Sequence, residues 1–443
     1  MPRSSAELAA RAANILPGGA SHDGRQLEPH GIFVRSGSGA YKADEEGRSY
    51  IDLQCGNGAL LLGHGHPDVL NATSEALAAG VNFSATSVME IRWAETIRRL
   101  MPAAEQIVFT ASGNEAVALA FAVARTVTGR NAILVPKGHY YGWIAPALLQ
   151  CLPIREILSA SKQTEKTVIG EAESLDEIID ALATQRFAAV IMEPTGAGFG
   201  KIPMREADLR AITDAAVDAG SLSIFDETIT GFRFAPGGAQ GAYGIAPDLT
   251  ILGKILGGGL PCGALAGRRS HLDSLDNRPR DNADRPSVSH MGTGNGNPVA
   301  AAAGLATLEL VADGRAIDSA NAAAARLRDG LNRIFCSREI AWAAYGEDSD
   351  LHIFLNPQGQ PIDQFGFDAA LTSPDDLLMR NPELINALRI RLLENGIDAN
   401  PWPGGLLSSV HDDAIVDEAI AAFDAALAEL KKQGVRLTGW GQA

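Results

Sequence analysis

Between about residue 90 and residue 305, short runs of consecutive apolar residues alternate with longer stretches whose apolar positions recur every three or four residues. The short runs lie at 107–110, 132–135, 188–192, 221–225 and 249–252. A strand buried on both faces shows no polar alternation, and the intervening pattern, as at 115–126 and 206–219, is that of amphipathic helices. This predicts an α/β fold with a mostly parallel, doubly wound sheet.

Outside that region the rhythm differs. Residues 4–13 read as a helix, and extended pieces follow at 31–34, 40–44 and 49–52. Asp44-Glu45-Glu46-Gly47-Arg48 supplies turn chemistry between the last two, so a small antiparallel meander is expected. Pro67 suits the first turn of a helix continuing over 69–79. After Asn297-Pro298 the chain turns helix-rich, at 299–311, 315–335, 382–394 and 412–431, with one strand candidate at 351–355. The stretch 356–376, rich in Pro, Gly, Asp and Gln, reads as an exposed loop. The expected organisation is an N-terminal segment, 1–60, packing with a smaller α+β domain, 306–443, and a large domain over 61–305.

Length agrees with this division, since 443 residues exceed one ordinary core. Hydrophobic residues at 46% and charged residues at 20% are ordinary for a globular enzyme. No apolar run reaches the roughly 20 residues that span a bilayer, and the N-terminus carries no secretory pattern, so neither membrane nor export is expected. The formal charge of −16 and the absence of a Lys/Arg cluster argue against nucleic acid. That charge also requires any anion site to be built locally. Cys55, Cys151, Cys262 and Cys336 are too scattered for a disulfide framework or a zinc site, which favours a reducing, cytoplasmic compartment. His64 and His66 lack companions at ligand spacing, so no metal is expected.

Lys254 is the most informative residue. It follows the apolar run 249–252 and one glycine, and Gly257-Gly258-Gly259 lies just beyond. An amine at the end of a buried strand is costly unless it snorkels to the surface or has a chemical use. Desolvation lowers its pKa and frees it to attack a carbonyl. Asp226 ends the preceding apolar run, 28 residues earlier, about one βαβ repeat. Either it caps a following helix, or it and Lys254 face one ligand from neighbouring strand ends. Ser112-Gly113-Asn114 sits between a strand and a helix start, where free N–H groups bind phosphate; a plain N-cap serine is the commoner outcome for such a triplet. Gly138-His139-Tyr140-Tyr141-Gly142 offers an aromatic for stacking, or merely for the core. Gly292-Thr293-Gly294-Asn295-Gly296-Asn297-Pro298 is either a phosphate-facing loop or a linker. Neither GxGxxG nor GxxxxGK[ST] occurs.

Taken in order, several stretches carry a resemblance. They are Gly63-His64-Gly65-His66-Pro67, Thr110-Ala111-Ser112-Gly113-Asn114-Glu115-Ala116, and Ala189-Val190-Ile191-Met192-Glu193-Pro194. Two more are Asp226-Glu227-Thr228-Ile229-Thr230-Gly231-Phe232-Arg233 and the run from Pro247-Asp248 through Lys254 to Leu260-Pro261. The chain resembles, nearly end to end, the class III, fold-type I aminotransferases that use pyridoxal 5′-phosphate (PLP). Within them it looks most like glutamate-1-semialdehyde aminomutases and nearby amino-acid aminotransferases, including D-phenylglycine-type enzymes.

The resemblance implies that Lys254 bonds to the cofactor aldehyde and shuttles protons, and that Asp226 holds the pyridine nitrogen. It implies that Ser112, Gly113 and Asn114 cradle the phosphate, that Tyr140 stacks on the ring and that Thr228 packs beneath it. Glu193 matches an acid near the cofactor. Thr293 is expected to reach the phosphate of a neighbouring subunit, which implies a homodimer with sites at the interface. Arg25 falls where aminomutases carry a carboxylate-binding arginine.

The departures bear on function. Tyr141 replaces a usual histidine, Thr228 a branched apolar residue, and Asn114 a usual Thr or Ser. Asn57 and Pro403 stand where aminomutases carry Trp and Glu, and the stretch after Trp143 does not resemble their gating loop. The leading expectation is therefore a ping-pong aminotransferase moving nitrogen from a small carboxylate-bearing amino acid to a 2-oxo acid. Alternatives are a glutamate-1-semialdehyde 2,1-aminomutase, a PLP racemase or epimerase, and a non-enzymatic protein of the same fold.

Overall fold

The apolar runs become strands of one eight-stranded sheet. In a computed structural model, residues 4–143, 151–153, 169–278 and 287–442 are described. From one edge the sheet runs Gln106–Thr110, Gly263–Gly267, Leu249–Gly253, Leu222–Asp226, Phe187–Met192, Ala132–Pro136, Ile169–Ala172 and Cys151–Pro153. Gly263–Gly267 pairs antiparallel with both of its neighbours, and the other pairings are parallel.

Strand periodicity divides the core into two layers. Ile191, Ile224, Leu249 and Ile251 pack against the helix Gly113–Thr128 through Val117, Ala120 and Phe121. Val190, Met192 and Phe225, one residue out of phase, join the opposite layer with Ile178, Leu182, Leu209 and Ile212. These last four come from the helices Leu175–Ala183 and Glu206–Ala219. Each fully buried Leu, Ile or Phe contributes roughly 1.5–3 kcal/mol, so both faces of the sheet are held. Parallel strands covered by helices leave their carboxyl ends as the edge on which ligands gather.

The chain divides into two compact units, residues 67–314 and residues 1–66 together with 315–443. The second unit begins with the helix Ser5–Ile15, closed by a capping box from Ser4 and Glu7. Its antiparallel meander is Val34–Ser38, Tyr41–Asp44 and Ser49–Asp52, to which Ile397–Asp398 adds in parallel. The first strand thus starts where the sequence pattern placed the end of an extended piece. Its residues are all exposed, so burial leaves no apolar signature there. At the turn, Asp44 accepts from the Glu46 and Arg48 N–H groups at 2.9 and 2.8 Å. A small sheet of Ala343–Tyr345, Asp350–Phe354 and Gly404–Leu406 joins the helices Arg315–Ser337, Pro382–Glu394 and Asp413–Lys432. They share a core around Leu327, Phe335, Trp342, Leu388, Phe423 and Leu427. Among the described residues no helix is long and apolar enough to cross a membrane.

Candidate active site

Asp226 is the last residue of its strand and is in register with Ile251 of the next. Lys254 follows that next strand directly, after Gly253. Both line a cavity of about 300 Å³ in the unit 67–314, together with Ser112, Gly113, Asn114 and Tyr140. Glu193, Thr228, Phe199 and Cys262 complete the walls used below.

The helix Gly113–Thr128 starts at this cavity. Ser112 Oγ accepts from the Glu115 N–H at 3.3 Å, and Glu115 accepts in return from the Ala111 N–H at 2.9 Å. Ser112 is therefore an N-cap, and its position also brings the helix N-terminus to the cavity wall. The N-cap role and a place on the cavity wall coexist in one residue. The approach is close because the neighbouring strand begins with Gly263, where an added Cβ would lie 2.3 Å from the Ser112 carbonyl oxygen.

On the same edge of the sheet, Asp226 accepts from the Thr228 N–H at 3.0 Å. Burial pushes the Asp226 carboxyl above its ordinary range, against the Thr228 hydrogen bonds and the Lys254 amine, which pull it down. Glu227 points elsewhere: it accepts from the Ala239 and Gln240 N–H groups at 2.7 and 3.0 Å and from Thr230 Oγ1 at 2.9 Å. Of the two adjacent acids, Glu227 is the helix cap and Asp226 faces the cavity.

Lys254 has a left-handed backbone, with φ 51°. For a residue with a Cβ this costs of order 1–3 kcal/mol and is tolerated where surrounding structure enforces it, often at functional sites. Burial pulls its amine down to about 8, with Asp226 and Glu193 opposing and Arg233 assisting.

A third strand end supplies Glu193, just past Met192. Its Oε1 accepts from the Tyr140 N–H at 2.8 Å and its Oε2 from the Phe199 N–H at 3.3 Å. Its own N–H donates to His139 Nδ1 at 3.0 Å. Burial drives His139 down to about 3, so the imidazole is neutral and its 3.9 Å approach to Glu193 Oε1 is not an ion pair. Tyr141, the neighbour of Tyr140, is core: its hydroxyl donates to the Ile191 carbonyl at 2.9 Å.

The family model of the class-III aminotransferases matches residues 23–341. The glutamate-1-semialdehyde 2,1-aminomutase of Methanothermobacter thermautotrophicus is 33% identical over 96% of this chain and 99% of its own. The chain belongs to the class-III aminotransferases. Further curated relatives at 32–34% identity carry the same aminomutase name. Among solved structures, the β-phenylalanine aminotransferase of Variovorax paradoxus superposes with a TM-score of 0.81 at 29% identity, covering 98% of this chain and 95% of that one. A transaminase with bound PLP gives 0.83 at 25% identity, covering 98% and 100%. The fold is that of the fold-type I PLP enzymes, and PLP is the cofactor.

The residues of this class-III cavity fit that group. PLP presents an aldehyde, a basic ring nitrogen and a phosphate. The cavity offers a buried amine at one strand end, a buried acid at the next and a capped helix N-terminus. Thr293 and Arg25 are not among its lining residues. Thr293 lies in the loop before the helix Pro298–Val311, its carbonyl accepting from Asn82 Nδ2 at 2.9 Å. Arg25 is exposed in the short turn Asp23–Arg25 of the other unit. The stretch 144–150, part of the segment compared with the aminomutase gating loop, lies outside the described residues. Phe199 is not singled out by the sequence, and Cys262 is noted there only as one of four scattered cysteines, with no place in the site. The glycines around Phe199, in Gly196-Ala197-Gly198-Phe199-Gly200, were the available signal; Cys262 had none.

Proposed function

We propose that the chain is a PLP-dependent aminomutase of the glutamate-1-semialdehyde 2,1 type, returning nitrogen to the carbon next to the one it left. This reverses the order expected from the sequence, in which the aminotransferase led. One observation carries the reading: identity of 32–34% to relatives of that name over at least 93% of this chain.

When bound, PLP supplies a ring that takes up negative charge from the amine-bearing carbon. The chain supplies the rest. The neutral amine of Lys254 holds the cofactor aldehyde, and once released it moves the proton at the substrate carbon. Asp226 holds a proton on the ring nitrogen. Ser112, Gly113 and Asn114 bind the phosphate through hydroxyl, backbone N–H and amide groups. Tyr140 covers the ring, Thr228 supports its other side, and Glu193 borders it. Arg25 takes the substrate carboxylate through its planar fork. Thr293 serves the phosphate of a second copy, so the working unit is a homodimer, placed in the cytoplasm.

A second reading, transfer to an external 2-oxo acid, is favoured by Asn57 and Pro403 at positions where aminomutases carry Trp and Glu, and by the 29% likeness to a β-phenylalanine aminotransferase. The deciding assay offers glutamate-1-semialdehyde alone, then amino acids with pyruvate or 2-oxoglutarate. Formation of 5-aminolevulinate without an oxo acid supports the aminomutase. Turnover that requires an oxo acid overturns it.

A further inference from the structure

We propose that Glu193 is a positioning residue that fastens two walls of the cofactor cavity, each carboxylate oxygen accepting from the backbone N–H of a different loop. This deepens the reading of the cavity as a PLP site and rests on it.

The two walls are the loop carrying Tyr140 and the loop carrying Phe199. Both residues line the cavity, and their N–H groups reach opposite oxygens of the same carboxylate. The Phe199 loop is strained. Phe199 has φ 58° and ψ 54°, Gly198 has φ 62°, and both lie in the left-handed region. A bulky residue adopts that conformation only under constraint. Successive N–H groups in such a turn form a concave anion site, and here the anion is supplied by the chain itself: the Gly198 and Phe199 N–H groups both bear on Glu193. The loop is also pinned by backbone pairing of Gly196 with Pro203 and of Ala197 with Ile202, and at Gly196 a Cβ would lie 2.0 Å from the Ile202 carbonyl oxygen. On the other side, the Glu193 N–H fixes His139, so residues 139 and 140 are gripped through two separate atoms of one residue.

Two acceptors are needed for this, and only an ionised carboxylate has both free. A glutamine has one acceptor and one NH2 group, and that NH2 would oppose a backbone N–H at Tyr140 or Phe199. Protonation does the same by converting one oxygen to a donor. Burial raises Glu193 to about 7, opposed by the N–H groups and assisted by Asp226. The groups facing it are neutral His139, Tyr140 (raised by burial), Asp226 and Lys254. The latch is therefore closed above about pH 7 and loosens below it.

The test titrates wild-type and Glu193→Gln apoenzyme with PLP across pH, following cofactor absorbance. Loss of one charge-assisted hydrogen bond predicts about tenfold or greater weakening of PLP binding in the variant. The wild type should also lose affinity as pH falls through about 7, with that step absent in Glu193→Gln. Equal affinity and equal pH profiles overturn the proposal. Amide exchange on wild-type apoenzyme supplies a measurement independent of the variant's folding. After correction for intrinsic rates, protection at Tyr140 and Phe199 should fall together over the same pH range while that of the Phe187–Met192 strand holds. Unchanged protection at those two amides overturns the latch. A wild type that fails to bind PLP refutes the cofactor reading instead, and the exchange result still decides the latch.

Discussion

Asp226 and Lys254 stand at the ends of two neighbouring parallel strands, Asp226 in register with Ile251 and Lys254 three positions beyond that partner. An acid and an amine thus meet one cavity without any loop having to carry them, since strand ends are fixed by the hydrogen-bonded ladder and the layers on either side. Neither group is simply an ion pair. Burial moves both toward their neutral forms, the carboxyl up and the amine down, while their mutual attraction opposes this.

The amine's shift makes a kinetic prediction. If Lys254 is the residue that holds PLP, as proposed, only its neutral amine can attack the aldehyde, and burial lowers its pKa from 10.5 to about 8. The rate of covalent attachment should therefore rise with pH and level off above about 8. Stopped-flow absorbance on apoenzyme mixed with PLP reads this directly. Asp226→Asn removes a charge that raises the pKa, so the midpoint should move lower still. A midpoint near 10.5 would mean that the amine is solvated and the buried strand end is wrong.

Gly263 tests how tightly the corner at Ser112, the proposed phosphate site, is built. A methyl there would sit 2.3 Å from the Ser112 oxygen and 2.4 Å from its carbonyl carbon, both backbone atoms that cannot rotate away. Gly263→Ala should cost about 1–3 kcal/mol by overpacking, read as a lowered Tm, and should weaken PLP binding because Ser112 must shift. Gly241→Ala is the control. Nothing lies within 4 Å of its Cβ position, inside the helix Gly238–Tyr243, so alanine there should be neutral or stabilise by up to about 1 kcal/mol. Equal effects of the two changes would remove the steric account.

That corner also shows where the sequence pattern runs out. The strands 188–192, 221–225 and 249–252 were legible because burial on both faces leaves them free of charged residues and rich in Ile, Val, Leu and Phe, broken only by small or weakly polar residues such as Ala, Ser and Thr. Gly263–Gly267, Gly-Ala-Leu-Ala-Gly, lies in the same sheet but has no β-branched residue, and at both its ends a Cβ would lie within 2.5 Å of a backbone oxygen. Steric crowding at those ends weakens the signal that hydrophobicity gives elsewhere. The site divides similarly. Lys254 and Asp226 stood out because a charge at a buried strand end is costly. The residue pattern alone left the adjacent acids open and the resemblance picked Asp226; the fold gives the physical reason, sending Glu227 to the helix at 238–243 and leaving Asp226 to the cavity. Phe199 was hidden because its role depends on left-handed backbone, which apolar periodicity does not report.

The last prediction concerns the segment that carries Arg25. The helix Pro382–Glu394 grips it from one side. Arg389 donates through Nη2 to the Gly24 carbonyl and through Nη1 to the Gln26 carbonyl, each at 3.3 Å, and so brackets Arg25. Asn386 adds a reciprocal pair with the Glu28 backbone at 3.2 and 3.1 Å. If Arg25 binds the substrate carboxylate, Arg389 holds the main chain that aims it. Arg25→Ala should raise KM for carboxylate-bearing substrates by about 10–100-fold, the worth of a charge-assisted hydrogen bond, and leave simple amines unaffected. Arg389→Lys keeps the charge but loses the planar fork that spans two carbonyls, so it should raise the same KM by a smaller factor. Because it acts through Arg25, the double variant should be no worse than Arg25→Ala alone. Additive losses in the double variant, or an equal loss with simple amines, would show that Arg389 supports the fold at large and does not orient Arg25.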